Sequence, residues 1–290
     1  MKSFIEKNVR WLFPLPGALF ILAMMVFPVL YTFWVSLTDW SLASGREAHF
    51  IGLKNFEVLI MDARFYNALK LTIYFTGLAV GVETVLGVGI AILLNREFRG
   101  KNTFKTILLL PMVATPVAIG LCWTLFYEPT VGLANYTLRQ FGLPAIKWLA
   151  DQTTVIPSLA LVDIWEWTPM IALIVMAGLA ALPAEPFEAA VVDGATSWQV
   201  FRHVTLPLLA PTILVAVVLR SIDAFKTFDI IYTMTNGGPG YASETMNIYA
   251  YTLGFQYFRF GAASSALVAL LALVLGSSLI VLYLRRRWEV

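Results

Sequence analysis

Residues 188–211 read EAAVVDGATSWQVFRHVTLPLLAP and form a polar, small-residue island between two apolar runs. The flanking runs are Val155–Leu182 and Leu208–Met234. Each run is long enough for a helix that crosses a bilayer, which takes about 20 residues. The island holds charged side chains and helix breakers, so it does not cross. We therefore predict that residues 183–207 form a loop at one membrane face, between two spans.

The island carries the local signals of two short helices joined by a tight turn. Gly194 can adopt the left-handed conformation that ends the first helix. Thr196 or Ser197 is a suitable N-cap for a second short helix over residues 198–204, and Pro207 then redirects the chain into the membrane. Small side chains at the tip let the surface of another protein approach the backbone closely. An ordinary amphipathic connector is the alternative interpretation.

The island resembles the coupling loop of the membrane subunits of ATP-binding-cassette (ABC) importers. That pattern is Glu-Ala-Ala, three residues, Gly, nine residues, then an apolar residue shortly before Leu-Pro. The matching residues are Glu188, Ala189, Ala190, Gly194, Val204, Leu206 and Pro207. The longer form of the pattern, found in carbohydrate permeases, also matches at Asp193, Ala195, Phe201 and Pro211. The resemblance implies that a separate ATPase subunit is contacted by Glu188, Ala189, Ala190, Asp193, Gly194, Ala195 and Pro207.

The composition indicates a membrane protein. The chain has 290 residues, of which 59% are hydrophobic and 13% charged, and a soluble domain has about twice that charged fraction. We predict an all-α fold with six transmembrane helices in one permease domain over residues 1–290. The predicted spans cover residues 11–37, 69–94, 106–127, 155–182, 208–234 and 260–284.

The distribution of positive charge predicts the orientation. Six spans place both termini on one side, together with the loop at 95–105 and the coupling loop. That side carries eleven Lys and Arg residues, against six in the longer loops of the other side. The positive-inside rule makes the richer side cytoplasmic. This rule is independent of the motif, yet it puts the coupling loop where an ATPase would be, and the resemblance implies a bacterial inner membrane.

Charged residues also lie within the two spans that flank the coupling loop. At 3.6 residues per turn, one face of the fourth span carries Asp163, Glu166, Trp167 and Met170. One face of the fifth carries Arg220, Asp223, Ala224 and Thr227. Charge in hydrocarbon costs a few kcal/mol per group, so these side chains should face a cavity or each other. Trp167 is a flat apolar surface on which a sugar ring can stack.

In sugar importers of the maltose type, which the chain resembles, these two spans line the translocation path. The family's sugar-contacting positions fall on Asp163, Glu166, Trp167, Met170, Arg220, Ala224 and Thr227. We include Asp223 in the predicted path because of its charge. Structural ion pairs between helices are the alternative role for the charged members.

The second predicted span contains a carboxylate and several glycines. Glu83 lies near its middle and is either a packing or gating contact or a ligand site. Gly77 and Gly81 have the spacing of residues at close helix contacts, with Gly87 and Gly89 further along.

The sequence lacks the features of an ATPase or of a metal enzyme. It has no phosphate-binding G-x-x-x-x-G-K-[ST] motif, and its two histidines, His49 and His203, lie on opposite predicted sides of the membrane. Cys122 lies in an apolar run, and one cysteine makes no disulfide framework. We expect no catalytic residue, no bound cofactor or metal and no nucleic-acid partner. ATP and Mg²⁺ would be bound by the partner ATPase.

These features together predict a permease subunit of a carbohydrate importer. Its partners would be a second six-helix permease, an ATPase dimer, an extracytoplasmic solute-binding protein, the sugar and the lipid bilayer. The glycine-rich turn at Asn236–Gly240 resembles the first permease of the maltose type, which favours a heterodimer. A self-sufficient, ion-coupled carrier is the alternative, with Glu83, Asp163, Glu166 and Arg220 as its relay. Arg220 leaves open whether the sugar is neutral or anionic.

Overall fold

The computed structural model describes residues 8–42, 45 and 47–288. Lys2 and Lys7, which count toward the positive side, lie outside the described residues. The twelve helices named here are α1 (Asn8–Ser36), α2 (Lys54–Met61), α3 (Ala63–Asn95), α4 (Lys101–Val113), α5 (Pro116–Phe126), α6 (Leu133–Gln140), α7 (Val155–Ala180), α8 (Glu185–Val192), α9 (Ser197–Phe225), α10 (Asp229–Thr235), α11 (Met246–Tyr251) and α12 (Phe260–Trp288). Within the described residues the only β pairing is an isolated bridge between Thr38 and Phe50.

Five of these helices are long and apolar enough to cross a membrane, namely α1, α3, α7, α9 and α12. Helices α4 and α5 make a sixth span if they are taken together, but they are bent by 97°. The break falls at residues 114 and 115, which are extended, because the residue before a proline avoids the helical region. Pro116 then begins α5, whereas Pro111 lies inside α4. The third predicted span is thus a sharply bent pair.

The prediction for the fifth span is wrong at both ends. Helix α9 begins at Ser197 rather than at residue 208, and it ends at Phe225 rather than at residue 234. Residues 226–228 interrupt the chain, and α10 follows as a separate short helix. Asp223, Lys226 and Asp229 lie in and beside this interruption, so the helix ends within a polar stretch that the predicted span includes.

The chain packs as two compact units. The first comprises the residues up to Phe65 together with Tyr249–Leu271. Its contacts are both polar and aromatic. Asn55 Nδ2 donates to the carbonyl of Thr38 at 2.7 Å, the Tyr249 hydroxyl donates to Asp62 Oδ2 at 2.7 Å, and the ring centroids of Trp40 and Phe260 lie 5.0 Å apart. Few side chains of α1 are buried. In its most apolar stretch of 18 residues, only 6% of the stretch is buried inside the protein.

The second unit comprises Tyr66–Ile248 and the residues from Ala272 onward, and it contains two buried apolar clusters. One cluster joins α3, α5, α7 and α10 through residues such as Phe75, Ile119 and Leu159. The other joins α3, α7 and α9 through residues such as Ala91 and Ile171. Helices α3 and α7 take part in both clusters, so they are the central elements of this unit.

The glycine predictions for α3 are only partly correct. At Gly87 the helices approach closely, because a Cβ there would lie 2.7 Å from Ile171 Cγ2. No atom lies within 4 Å of a Cβ built on Gly77, Gly81 or Gly89. Gly77 and Gly81 instead line an apolar groove of about 490 Å³. Spacing alone did not identify which glycine contacts a neighbouring helix.

Asn135 on α6 organises the segment between α5 and α7. It is fully buried, and its Nδ2 donates to the carbonyls of Pro129 at 3.2 Å and Ile146 at 3.0 Å. Its Oδ1 accepts from the backbone N–H of Ile146 and from Nε1 of Trp148, both at 3.0 Å. All of its hydrogen-bonding groups are therefore in use.

We expect Asn135→Ala to destabilise the protein by about 2–4 kcal/mol, because several buried polar groups would lose their partners at about 1–3 kcal/mol each. The measurement is the thermal unfolding midpoint of the purified protein in detergent. Thr137→Ala on the same helix is the matched control, since Thr137 is exposed and bonds only within its own helix at the carbonyl of Leu133. Equal midpoints for the two variants would contradict this assignment.

Candidate translocation site and coupling segment

Helices α7 and α9 pack closely, and they are the candidate spans that precede and follow α8 in the chain. A Cβ on Gly178 of α7 would lie 2.6 Å from Thr212 Cγ2 of α9. Leu209 and Ala216 of α9 are fully buried with Val175 of α7. The close packing of α7 on α9 brings Asp163 of α7 into contact with Arg220 of α9.

Arg220 is at the centre of a buried cluster of charges. Its Nε donates to Glu83 Oε2 at 2.7 Å, and its Nη2 donates to Glu83 Oε1 at 3.1 Å and to Asp163 Oδ2. The ring of Trp167 lies 5.4 Å from the guanidinium carbon, which is a cation–π distance. The exposed fraction is 1% for Arg220 and 0% for Glu83 and Asp163. Three helices, α3, α7 and α9, thus meet at one guanidinium.

Two carboxylate oxygens at this cluster remain available. Within the described part of the chain, Asp163 Oδ1 and Glu166 Oε2 are buried and have no hydrogen-bond partner. Buried polar atoms are nearly always paired, so two unpaired carboxylate oxygens in one cluster indicate a place for a ligand or water. Among residues 8–42, 45 and 47–288, no three His, Cys, Asp or Glu side chains are arranged to hold a metal ion.

Four of the predicted path residues come together, namely Asp163, Glu166, Trp167 and Arg220. Met170 is half-buried on α7, and Ala224 is buried on α9. Asp223, on the same helix as Arg220, and Thr227 are not part of this cluster. Asp223 pairs instead with Lys226 at 3.1 Å, with both side chains about half exposed, and Thr227 lies past the end of α9.

Glu83 joins the cluster from α3, beside the residues with which it is grouped in the ion-coupled alternative. It lies 80 residues before Asp163 in the chain. A carboxylate in the middle of an apolar helix indicates a buried partner, but it does not indicate which residue that partner is.

The coupling segment, residues 183–207, has the predicted turn. Helix α8 has Pro186 in its first turn, and Gly194 follows it with φ of 73°, a left-handed conformation that favours glycine. Thr196 is the N-cap of α9, in a capping box in which its backbone N–H donates to Gln199 Oε1 at 2.7 Å. Both local predictions, the turn at Gly194 and the cap at Thr196, are confirmed.

The second short helix of the prediction is wrong as a separate element. Residues 198–204 form the first turns of α9, and the chain continues through Pro207 without a break. A π-helical turn at Phe201–Thr205 permits this, with the N–H of Leu206 bonded to the carbonyl of Phe201. Widening the helix here accommodates the proline ring, which would otherwise clash with the preceding turn.

The predicted ATPase-contacting residues differ in exposure. Glu188, Ala189, Asp193, Gly194 and Pro207 are exposed, Ala195 is half-buried, and Ala190 is buried. The tip is also more apolar than expected, because Val191, Val192 and Trp198 are largely exposed. An apolar exposed surface of this kind is typical of a protein contact. A cavity of about 630 Å³ lies between this segment and the end of α3.

Residues 83–290 match the family described as the binding-protein-dependent transport system inner membrane component. The chain belongs to this family. The permease is 33% identical over 281 residues to the trehalose/maltose transport system permease protein MalF of Thermococcus litoralis, covering 97% of this chain and 94% of the relative. It is 33% identical over 258 residues to the sulfoquinovosyl glycerol transport system permease protein SmoG of Agrobacterium fabrum, covering 89% and 84%.

The fold also matches a solved structure. The permease superimposes with a TM-score of 0.85 on a chain of a bacterial ABC transporter involved in the import of the acidic polysaccharide alginate. The identity is 23%, and 98% of each chain is covered. The resemblance to ABC importer permeases is therefore confirmed, as is the inner-membrane location, and in such transporters the ATPase is a separate subunit.

Removing one member of the buried cluster should cost far more stability than removing a surface charge. We expect Asp163→Ala to destabilise the permease by about 3 kcal/mol, because Arg220 loses a buried partner. Asp223→Ala is the matched control on the other helix, and its half-exposed pair with Lys226 should contribute less than about 1 kcal/mol. Thermal unfolding of both purified variants provides the comparison, and a similar loss in both would contradict the importance of the buried cluster.

Proposed function

We propose that the permease takes up a neutral sugar as one of two six-helix subunits of an ABC importer. A solute-binding protein delivers the sugar on the outside, and an ATPase dimer that binds ATP and Mg²⁺ contacts residues 183–207 in the cytoplasm. This orientation follows the positive-inside count and places both termini in the cytoplasm. The proposed ATPase contacts are Glu188, Ala189, Ala190, Asp193, Gly194, Ala195 and Pro207.

One observation carries the proposal: the coupling segment is directly continuous with the two helices that hold the buried cluster. Helix α7 carries Asp163, and α9 carries Arg220. The capping box at Thr196 and the continuous helix through Pro207 make the connection to α9 stiff. A displacement of the segment by the ATPase would therefore move α9 against α7 and change access to the path between them.

The sugar path is proposed to contain Asp163, Glu166, Trp167, Met170, Arg220 and Ala224, with Asp223 and Thr227 further toward the end of α9. The free acceptors Asp163 Oδ1 and Glu166 Oε2 suit sugar hydroxyls, which donate hydrogen bonds. Trp167 offers an apolar ring for stacking. An anionic sugar is disfavoured, because Arg220 already contacts two carboxylates. The names of relatives include both neutral and anionic sugars, so they do not decide this point.

A second candidate is the self-sufficient, ion-coupled carrier. Its four relay residues, Glu83, Asp163, Glu166 and Arg220, are all buried in the same unit, and three of them are in direct contact. This candidate leaves the exposed apolar tip of residues 191–198 without a role. The two candidates differ in what purifies with the protein and in what drives uptake.

The first experiment is purification of the tagged permease from solubilised native membranes. Recovery of a second permease and a P-loop ATPase, with sugar-stimulated ATP hydrolysis by the complex, supports the importer. A protein that purifies alone and moves sugar into liposomes under an ion gradient would establish the carrier instead.

We expect Gly194→Trp to prevent the ATPase from co-purifying and to lower sugar-stimulated ATP hydrolysis at least tenfold, while the protein remains inserted. The large side chain would fill the exposed tip and strain a backbone with φ of 73°. Gly194→Asn is the control, because Asn is small and tolerates this conformation. Normal ATPase recovery with the Trp variant would count against the proposed contact.

A further inference from the structure

Glu83 occupies the part of Arg220 that would bind an anionic substrate. The Nε and Nη2 nitrogens form the edge of a guanidinium that binds a carboxylate or phosphate through two parallel hydrogen bonds. In the permease that edge is taken by the two oxygens of Glu83, at 2.7 and 3.1 Å. Glu83 thus stands where the oxyanion of a ligand would otherwise bind.

The surroundings of Arg220 contain several carboxyl groups and one guanidinium. Asp163 adds a second carboxylate to the same guanidinium, and Glu166 is buried one turn further along α7. Trp167 lies against the guanidinium, so it limits access to the charge from that direction. Water is nearly excluded at an exposure of 0–1%, and charges there are weakly screened. An anionic sugar would find these nitrogens of Arg220 already bonded to carboxyl groups, although the path contains an arginine.

We propose that Glu83 determines the charge preference of the permease by acting through Arg220. It neutralises the guanidinium and holds it away from the substrate, so that the path accepts neutral sugars and rejects anionic ones. The inference rests on the proposed function, in which α7 and α9 line the sugar path. Glu83 itself lies on α3 and is a positioning residue rather than a residue that contacts the sugar.

The test uses the assembled complex of the permease with its partner subunits in lipid nanodiscs. The two probes are trehalose and trehalose 6-phosphate, which differ by one anionic group. Apparent affinity is measured from the shift of the thermal unfolding midpoint with probe concentration. The wild-type complex should bind trehalose at least tenfold more tightly than the 6-phosphate.

Glu83→Gln keeps the size of the side chain and removes its charge. We expect this variant to shift the affinity ratio at least tenfold toward the 6-phosphate. Glu83→Asp, which keeps the charge, should retain the wild-type direction of preference. The double variant Glu83→Gln with Arg220→Gln should not show this shift of the affinity ratio, because it has no guanidinium at this position to bind the phosphate. A purely structural role of Glu83 would weaken binding of both probes alike.

A second measurement guards against failure of Glu83→Gln to assemble. The wild-type complex is itself a test, since a tenfold preference for the 6-phosphate would overturn the inference without any substitution.

The outcomes separate this inference from the proposed function. A wild-type complex that assembles with its ATPase and binds neither probe contradicts the sugar preference proposed for the path. An assembled Glu83→Gln variant that binds the 6-phosphate no better than the double variant does overturns the role of Glu83. In that case trehalose binding and sugar-stimulated ATP hydrolysis by the wild type would leave the transport function standing.

Discussion

The contact of one buried guanidinium with two carboxylates from two other helices determines how the second unit is arranged. Arg220 on α9 has its charge compensated only if Glu83 on α3 and Asp163 on α7 lie beside it. An ionised side chain inside an apolar bundle is costly, and separating it from its partners would be more so. The relative positions of the three helices are therefore constrained at this level, while apolar packing at Gly87 and Gly178 sets their distance elsewhere.

The same constraint bears on the role proposed for the coupling segment, because the segment is connected to both α7 and α9. Because α9 continues from the exposed cap at Thr196 through Pro207 to Arg220, a force applied at the segment reaches the buried cluster along one helix. Helix α7 ends at Ala180, directly before the segment, and carries Asp163. The segment thus connects the helix that carries Asp163 to the helix that carries Arg220. A displacement of the segment that moves these helices apart would have to break the ion pair between the two residues.

Several elements were predictable because their causes are local. The turn at Gly194 and the cap at Thr196 depend on a few neighbouring residues and appear as expected. The length of α9 was not predictable in this way. Its continuation through Pro207 depends on a π turn, and its end at Phe225 lies among Asp223, Lys226 and Asp229, which the predicted span 208–234 includes. Hydrophobicity reports where a chain prefers lipid or core, and it does not report where a helix stops.

The sequence by itself determined the family, the all-helical membrane fold, the turn at Gly194 with the cap at Thr196, and the identity of the charged residues in the fourth and fifth spans. These follow from composition and short motifs, which are properties of neighbouring residues. Only the tertiary structure decided which charges meet: Asp163 rather than Asp223 pairs with Arg220, and Glu83 joins them from α3. The physical reason is that a pairing between residues 57 or 137 positions apart depends on helix packing, which no local pattern encodes.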